Sequence, residues 1–215
     1  MAGTLTTQDI LDAGLDDWRE LARAIHTRFA TGDFATGLRL VNAIGAAAEE
    51  ANHHPDLDLR WGHLDVALIS HDVGGLTQRD VDMARRISAL AAEAGVPARP
   101  EAVARLEMGL DTADKPAQLR FWSAVLGVKA TSDDDIADSS EQLTTVWFQD
   151  TEPHDPPRQR WHPDVWVPHD QAQARIEAAL AAGGTLVDDS PAPGFTILAD
   201  PEGNKVCVCT CLERV

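Results

Sequence analysis

The 215-residue chain has no apolar run long enough to cross a membrane and no recognisable export signal. A membrane-spanning helix needs about 20 predominantly apolar residues. The N-terminal stretch MAGTLTTQDILDAG lacks the basic and apolar regions of a secretory signal. These absences argue against an integral membrane protein and predict a cytoplasmic location.

Positive charge is also scarce. The chain has 18 Lys and Arg residues against 35 Asp and Glu residues, which gives a formal net charge of −17 at pH 7. Such a surface repels phosphate backbones and anionic lipid headgroups. We therefore expect neither nucleic acid nor a membrane as a direct partner.

Cysteine occurs only three times, at Cys207, Cys209 and Cys211. Residues that alternate along a strand share one face, so the three thiols could form a cluster that holds a metal ion. The more common alternative is that they are small apolar residues on the buried face of a terminal strand, in a reducing compartment.

The chain changes character near residue 96. The stretch Gly95–Pro100 is rich in residues that end helices and resist new structure. It predicts a first domain at residues 1–95, a linker at 96–100 and a second domain at 101–215.

Histidines and carboxylates cluster between residues 49 and 80. Apolar spacing predicts an amphipathic helix at 33–52 that ends at His53-His54, because Pro55 disfavours helical backbone in the residue before it. Strand periodicity at 61–70 ends beside His71, and Asp80 falls in the first turn of a helix that begins after Thr77. Histidine titrates near neutral pH, so the cluster indicates acid–base chemistry.

The spacing Glu49-x3-His53-His54-Pro55-x5-Trp61-x9-His71-x8-Asp80 resembles the pterin-4a-carbinolamine dehydratase family over about residues 15–94. The resemblance implies an α+β fold in which helices cover one face of an antiparallel sheet. It also implies a homo-oligomer that dehydrates a 4a-hydroxytetrahydropterin during pterin recycling and requires no metal. The residues implied as catalytic are His53, His54 and His71, with His53 and His71 as the acid–base pair, and those implied as binding or orienting groups are Glu49, Trp61, Asp72 and Asp80.

The second half contains a duplicated strand–helix–strand pattern, with Phe121-Trp122 on a helix in the first copy and Asp200-Pro-Glu-Gly-Asn before the last strand of the second. This pattern resembles the glyoxalase/bleomycin-resistance (vicinal-oxygen-chelate) superfamily over about residues 101–213. The positions that carry metal ligands in metal-dependent members are occupied here by Glu107, a residue near Phe148 or Gln149, His162 and Cys207. With Cys207 in place of a carboxylate and no clear fourth ligand, the set is sparse. We therefore expect no metal in the second domain.

Two alternatives to the dehydratase remain. The first domain could be a dimerisation scaffold, with a second domain that binds a small ligand or partner. The main activity could instead lie in the second domain, as a metal-dependent lyase, isomerase or dioxygenase. The intact histidines favour the dehydratase, and the sparse ligand set weighs against the metal enzyme.

Overall fold

The computed structural model describes residues 3–138, 143–153, 161–199, 203 and 205–213. The chain divides into two compact units. The first comprises residues up to Ala104 with the segment Pro168–Gln171, and the second comprises Arg105–Val167 and Ala172–Glu213. In the described part of the chain, no helix is long and apolar enough to cross a membrane.

The elements of the first unit are α1 (Thr7–Asp12), β1 (Arg19–Leu21), β2 (Ala24–Phe29), α2 (Phe34–Ala51), β3 (Asp56–Arg60), β4 (His63–Leu68) and α3 (Gln78–Glu93). The strands form an antiparallel sheet in the order β1-β2-β4-β3, and apolar side chains of the two long helices pack in the core. This is the α+β architecture that the sequence predicts.

Capping and periodicity explain the long helix α2 and the central strand β4. The carboxylate of Asp33 accepts a 2.7 Å hydrogen bond from the backbone N–H of Thr36, which satisfies an otherwise unpaired donor at the start of α2. On β4, alternate residues face the helices and are almost fully buried, as the strand pattern predicts. These buried residues are Leu64, Val66 and Leu68.

The first unit differs from the sequence expectation at the stretch expected as a linker. Val96 lies in the core and Ala98 forms a β-bridge with Phe29. The stretch expected as a linker therefore packs against this unit, because its apolar residues complete the core.

The elements of the second unit are β5 (Arg105–Thr112), α4 (Lys115–Leu126), β6 (Asp135–Ile136), β7 (Thr145–Asp150), β8 (Trp161–Trp166), α5 (Ala172–Ala181), β9 (Thr185–Asp188), β10 (Phe195–Ala199) and β11 (Lys205–Cys209). The strands form a seven-stranded mixed sheet in the order β6-β7-β5-β8-β11-β10-β9. The central strands β5 and β8 are antiparallel to each other, β5 is parallel to β7, and β8 is parallel to β11. This arrangement confirms the duplicated pattern of the sequence.

The sequence missed the short strand β6, which lies in a stretch whose polar composition hides its pairing with β7. Of the turn motif at 200–204, the structure describes only Gly203, and the other motif residues, like the side chain of Phe121, lie outside the described residues. Cys207, Cys209 and Cys211 are all buried, as the sequence predicts, and none of them forms a disulfide bond.

Candidate active site

The end of α2 positions the paired histidines. The cap residue Asn52 adopts a left-handed conformation with φ of 47°, which asparagine tolerates better than most residues. The backbone N–H of His53 then donates to the carbonyl of Ala48 at 3.1 Å. The helix end is thereby closed, and the chain turns through His53 and His54 into β3.

The β3–β4 pairing brings the third histidine to the same end of the sheet. Asp56, at the start of β3, lies opposite Ala67, near the end of β4, in an antiparallel register. Residues just before β3 and just after β4 must therefore leave the sheet side by side. His53, His54 and His71 therefore all lie at this end of the sheet.

A tight turn joins this sheet end to α3. The backbone N–H of Gly74 donates to the carbonyl of Ser70 at 3.0 Å, and that of Ser70 donates to the carbonyl of Gly75 at 3.1 Å. Gly74 has φ of +65°, a conformation that costs glycine little. Thr77 then caps α3 in a reciprocal capping box with Asp80.

Asp80 is the fixed centre of the site. Its side chain is fully buried, and one oxygen, Oδ1, lies 2.8 Å from Nε2 of His53. The other oxygen, Oδ2, accepts hydrogen bonds from the hydroxyl of Ser70 at 2.7 Å and from the backbone N–H of Thr77 at 2.7 Å. A buried carboxylate satisfied in this way joins the helix end, the strand end and the start of α3, and it holds the ring of His53 in one orientation.

The other two histidines face solvent, each near its own carboxylate. Nε2 of His54 lies 3.1 Å from Glu49, one helical turn back on α2. Nε2 of His71 lies 3.8 Å from Asp56, with about 60% of the imidazole exposed. Three histidine–carboxylate pairs thus lie at one sheet end. The His53–Asp80 pair is buried, whereas the His54–Glu49 and His71–Asp56 pairs are exposed to solvent.

Asp72 lies on the same turn and is held by Arg79. The hydrogen bond from Arg79 holds the pKa of Asp72 below its ordinary value. Asp72 is therefore an anion at neutral pH, at the rim of the histidine group.

The structure does not bring Trp61 to the histidines. Trp61 lies in the turn between β3 and β4, at the opposite end of this hairpin from His54 and His71, and it is 77% exposed. Five strand residues separate the two ends, about 17 Å at 3.3–3.4 Å per residue. A role for Trp61 in contact with the same substrate within one chain does not fit this geometry.

Sequence reasoning missed two participants. Asp56 was not singled out, although it follows Pro55 directly, because only the β3–β4 register shows that it faces His71. Ser70 is the other, because its hydrogen bond to Asp80 cannot be derived from strand periodicity.

The second unit has its own group of polar residues. His162, Asp164 and Cys207 present ligand atoms that all lie within 4.8 Å of one another. His162 and Cys207 were expected at ligand positions, whereas Asp164 was not. Glu107 is not in the group, and its Oε2 accepts a 2.7 Å hydrogen bond from the indole N–H of Trp166.

Comparison with known proteins identifies the two halves. Residues 4–90 match the family model described as pterin 4 alpha carbinolamine dehydratase, and residues 107–209 match a model described as a glyoxalase-like domain. A protein of Thermosynechococcus vestitus, to which the same dehydratase name is provisionally given, is 41% identical over 93 residues, which cover 42% of this chain and 98% of that protein. The chain belongs to the pterin-4a-carbinolamine dehydratase family. This membership rests on the half that carries the three histidines.

Solved structures resemble each half. A transcriptional coactivator/pterin dehydratase from Brucella melitensis is 32% identical, with a TM-score of 0.40, and the match covers 41% of this chain and 99% of that one. A glyoxalase/bleomycin resistance protein/dioxygenase superfamily member from Vibrio splendidus is 15% identical, with a TM-score of 0.36, over 50% of this chain and 98% of that one.

Proposed function

We propose that this member of the dehydratase family removes water from a 4a-hydroxytetrahydropterin to give the quinonoid dihydropterin, as a step in pterin cofactor recycling. The observation that carries the proposal is the convergence of His53, His54 and His71 at one sheet end, each beside a carboxylate. Membership of the family supports the same reaction.

The reaction needs two proton transfers and no redox step. The bond between C4a and the hydroxyl oxygen breaks, a proton is delivered to the departing hydroxyl, and a proton leaves a ring nitrogen as the new double bond to C4a forms. Imidazoles are present in both protonation states near neutral pH, so a pair of them can serve as acid and base. We assign this pair to His53 and His71.

The two histidines are suited to different parts of the task. His53 is 8% exposed and is fixed by the buried Asp80, so its ring nitrogens point in set directions. His71 is mostly exposed, which lets it reach a substrate that docks at the sheet end. Asp80 acts through His53 and is a positioning residue, in the way that carboxylates orient imidazoles elsewhere.

The remaining groups at the sheet end bind and orient. His54 with Glu49, and Asp72 at the rim, offer exposed hydrogen-bond donors and acceptors to the polar edge of a pterin ring. The reaction as written requires no metal ion. The homo-oligomer implied by the family resemblance stays a prediction.

The test is a turnover assay on the full chain. A 4a-hydroxytetrahydropterin is generated in the cuvette, and its decay to quinonoid dihydropterin is followed by absorbance, with and without protein and in the presence of a chelator. We expect decay in proportion to protein concentration, well above the uncatalysed rate and unchanged by chelation. Equal decay with and without protein would refute the proposed function, and loss of the acceleration on chelation would refute its metal independence.

A further inference from the structure

The glyoxalase-like half raises the question of a metal ion, because metal-dependent members of that superfamily take ligands from four strands. The expected set does not fit here. Trp166 holds Glu107 by hydrogen bonding, and Phe148, near the second ligand position, is 1% exposed in the apolar core. Only His162 and Cys207 of the expected positions lie in the polar group.

The register of the sheet supplies a different carboxylate. On the central strand β8, Asp164 pairs with Cys207 of β11 on one side and with Glu107 of β5 on the other. His162 lies two residues before Asp164 and so shares its face of the strand. A histidine, an aspartate and a cysteine therefore project from two adjacent strands toward one point.

The spacing of the donors is that of ligands around one ion. Oδ1 of Asp164 lies 3.6 Å from Nε2 of His162, which is too far for a hydrogen bond. Two donors bound to a tetrahedral zinc ion at about 2.0–2.1 Å would stand roughly 3.4 Å apart.

Surrounding residues hold the donors in place. The indole N–H of Trp147 donates to Oδ2 of Asp164 at 2.9 Å, and its ring meets the imidazole of His162 edge to face at 5.4 Å. His162 also lies over Gly109, where an added Cβ would stand 2.6 Å from the imidazole. Glycine inside a strand often marks such a close approach, and outer partners of this kind orient metal ligands.

The geometry points to a binding site for one divalent ion of the zinc class, formed by His162, Asp164 and Cys207 and shifted away from the ligand set of the superfamily. In the proposed site the carboxylate ligand is Asp164, whereas the sequence pattern indicates Glu107. One imidazole, one carboxylate and one thiolate suit zinc or cobalt better than magnesium or calcium, which prefer oxygen ligands. Such a set leaves a fourth position to water or a ligand.

The test uses cobalt as a spectroscopic probe for zinc. Full-length protein, freed of metal by chelation and dialysis, is titrated with Co²⁺ under reducing conditions, and then Zn²⁺ is added. We expect one Co²⁺ per chain, a near-ultraviolet cobalt–thiolate charge-transfer band, and loss of this band as Zn²⁺ displaces Co²⁺. Absence of both stoichiometric binding and the band would overturn the proposal.

Variants separate the proposed set from the superfamily set. Cys207→Ser removes the thiolate band, and Asp164→Asn, which keeps an oxygen for Trp147, weakens Co²⁺ binding at least about tenfold. The matched controls are Glu107→Gln and Cys211→Ser, in which binding stays within about twofold of wild type, since neither residue contributes to the group. Near-ultraviolet circular dichroism confirms that each variant is folded. A loss in Glu107→Gln equal to that in Asp164→Asn would contradict the shifted site. The test measures metal binding and not the dehydration rate, so either proposal can be refuted without affecting the other.

Discussion

Replacing Asp80 by asparagine tests the anchor of the active site. The substitution keeps the size of the side chain but removes its charge and turns one acceptor into a donor. If the amide oxygen stays with Ser70 and the N–H of Thr77, the amide nitrogen faces His53. Nε2 of His53 must then accept rather than donate, so its proton moves to Nδ1.

Two losses follow from this change. Hydrogen bonds to charged groups contribute about 1.5–3 kcal/mol each, so weakening the bonds at this buried carboxylate is expected to lower the free energy of unfolding by about 2 kcal/mol. A positioned acid or base contributes about 10²–10⁴-fold to a rate, so a wrong tautomer of His53 is expected to lower kcat by about 10²-fold, with a smaller change in KM.

The assay combines the dehydration rate with urea unfolding and with ¹⁵N NMR of the His53 ring, which reports the tautomer. The control is Glu50→Gln, which removes an exposed carboxylate on α2 that pairs with Arg86 on α3, and it should leave the rate unchanged. A folded Asp80→Asn protein with a rate within about threefold of wild type, or with an unchanged His53 tautomer, would refute the positioning role.

Three further predictions follow from the first unit. Asp56→Asn should lower kcat/KM by less than about tenfold, because the His71–Asp56 pair is exposed to solvent. The difference in kcat/KM from wild type should shrink as the salt concentration rises. A larger loss of kcat/KM that does not depend on salt would contradict this prediction. Burial disfavours the charged carboxylate of Glu20 and raises its pKa above the ordinary value of 4.5. The charged form therefore opposes folding, and stability is lost as pH rises from that ordinary value through the raised pKa of the folded state. Glu20→Gln should unfold at a higher temperature than wild type at pH 7 but not below about pH 4, and equal stability of the two proteins at both pH values would contradict this titration. A fragment of residues 1–104 should fold and keep the dehydratase activity. A fragment of residues 1–96 should unfold more easily, because it lacks the Phe29–Ala98 bridge and the 2.7 Å hydrogen bond from the N–H of Arg99 to the carbonyl of Arg28. Equal unfolding midpoints of the two fragments would refute that reason, and loss of activity in a folded 1–104 fragment would show that the second unit helps to build the site.

The sequence predicts the first half of the fold well because its signals are local. The N-cap at Asp33, the alternation along β4 and the Thr77 cap each depend on residues only a few positions apart. The spacing of the histidines then follows from where the helix and the strand end.

What the sequence could not predict depends on strand register. Asp56 faces His71 only because β3 pairs with β4 in one particular alignment. Asp164 lies beside His162 and Cys207 because β8 is between β5 and β11, and Glu107, which pairs with Asp164, is hydrogen-bonded to Trp166. Pairings between strands far apart in the chain leave no periodic signal, so the sequence alone does not indicate Asp164 as a candidate ligand.

The most direct test of the central claim is the dehydration rate of His53→Ala and His71→Ala beside that of wild type. Each variant should remain folded and lose about two to four orders of magnitude in rate, the usual contribution of a positioned acid or base. Near-wild-type rates in both variants, measured with a 4a-hydroxytetrahydropterin and with folding confirmed by circular dichroism, would contradict histidine acid–base catalysis at this site.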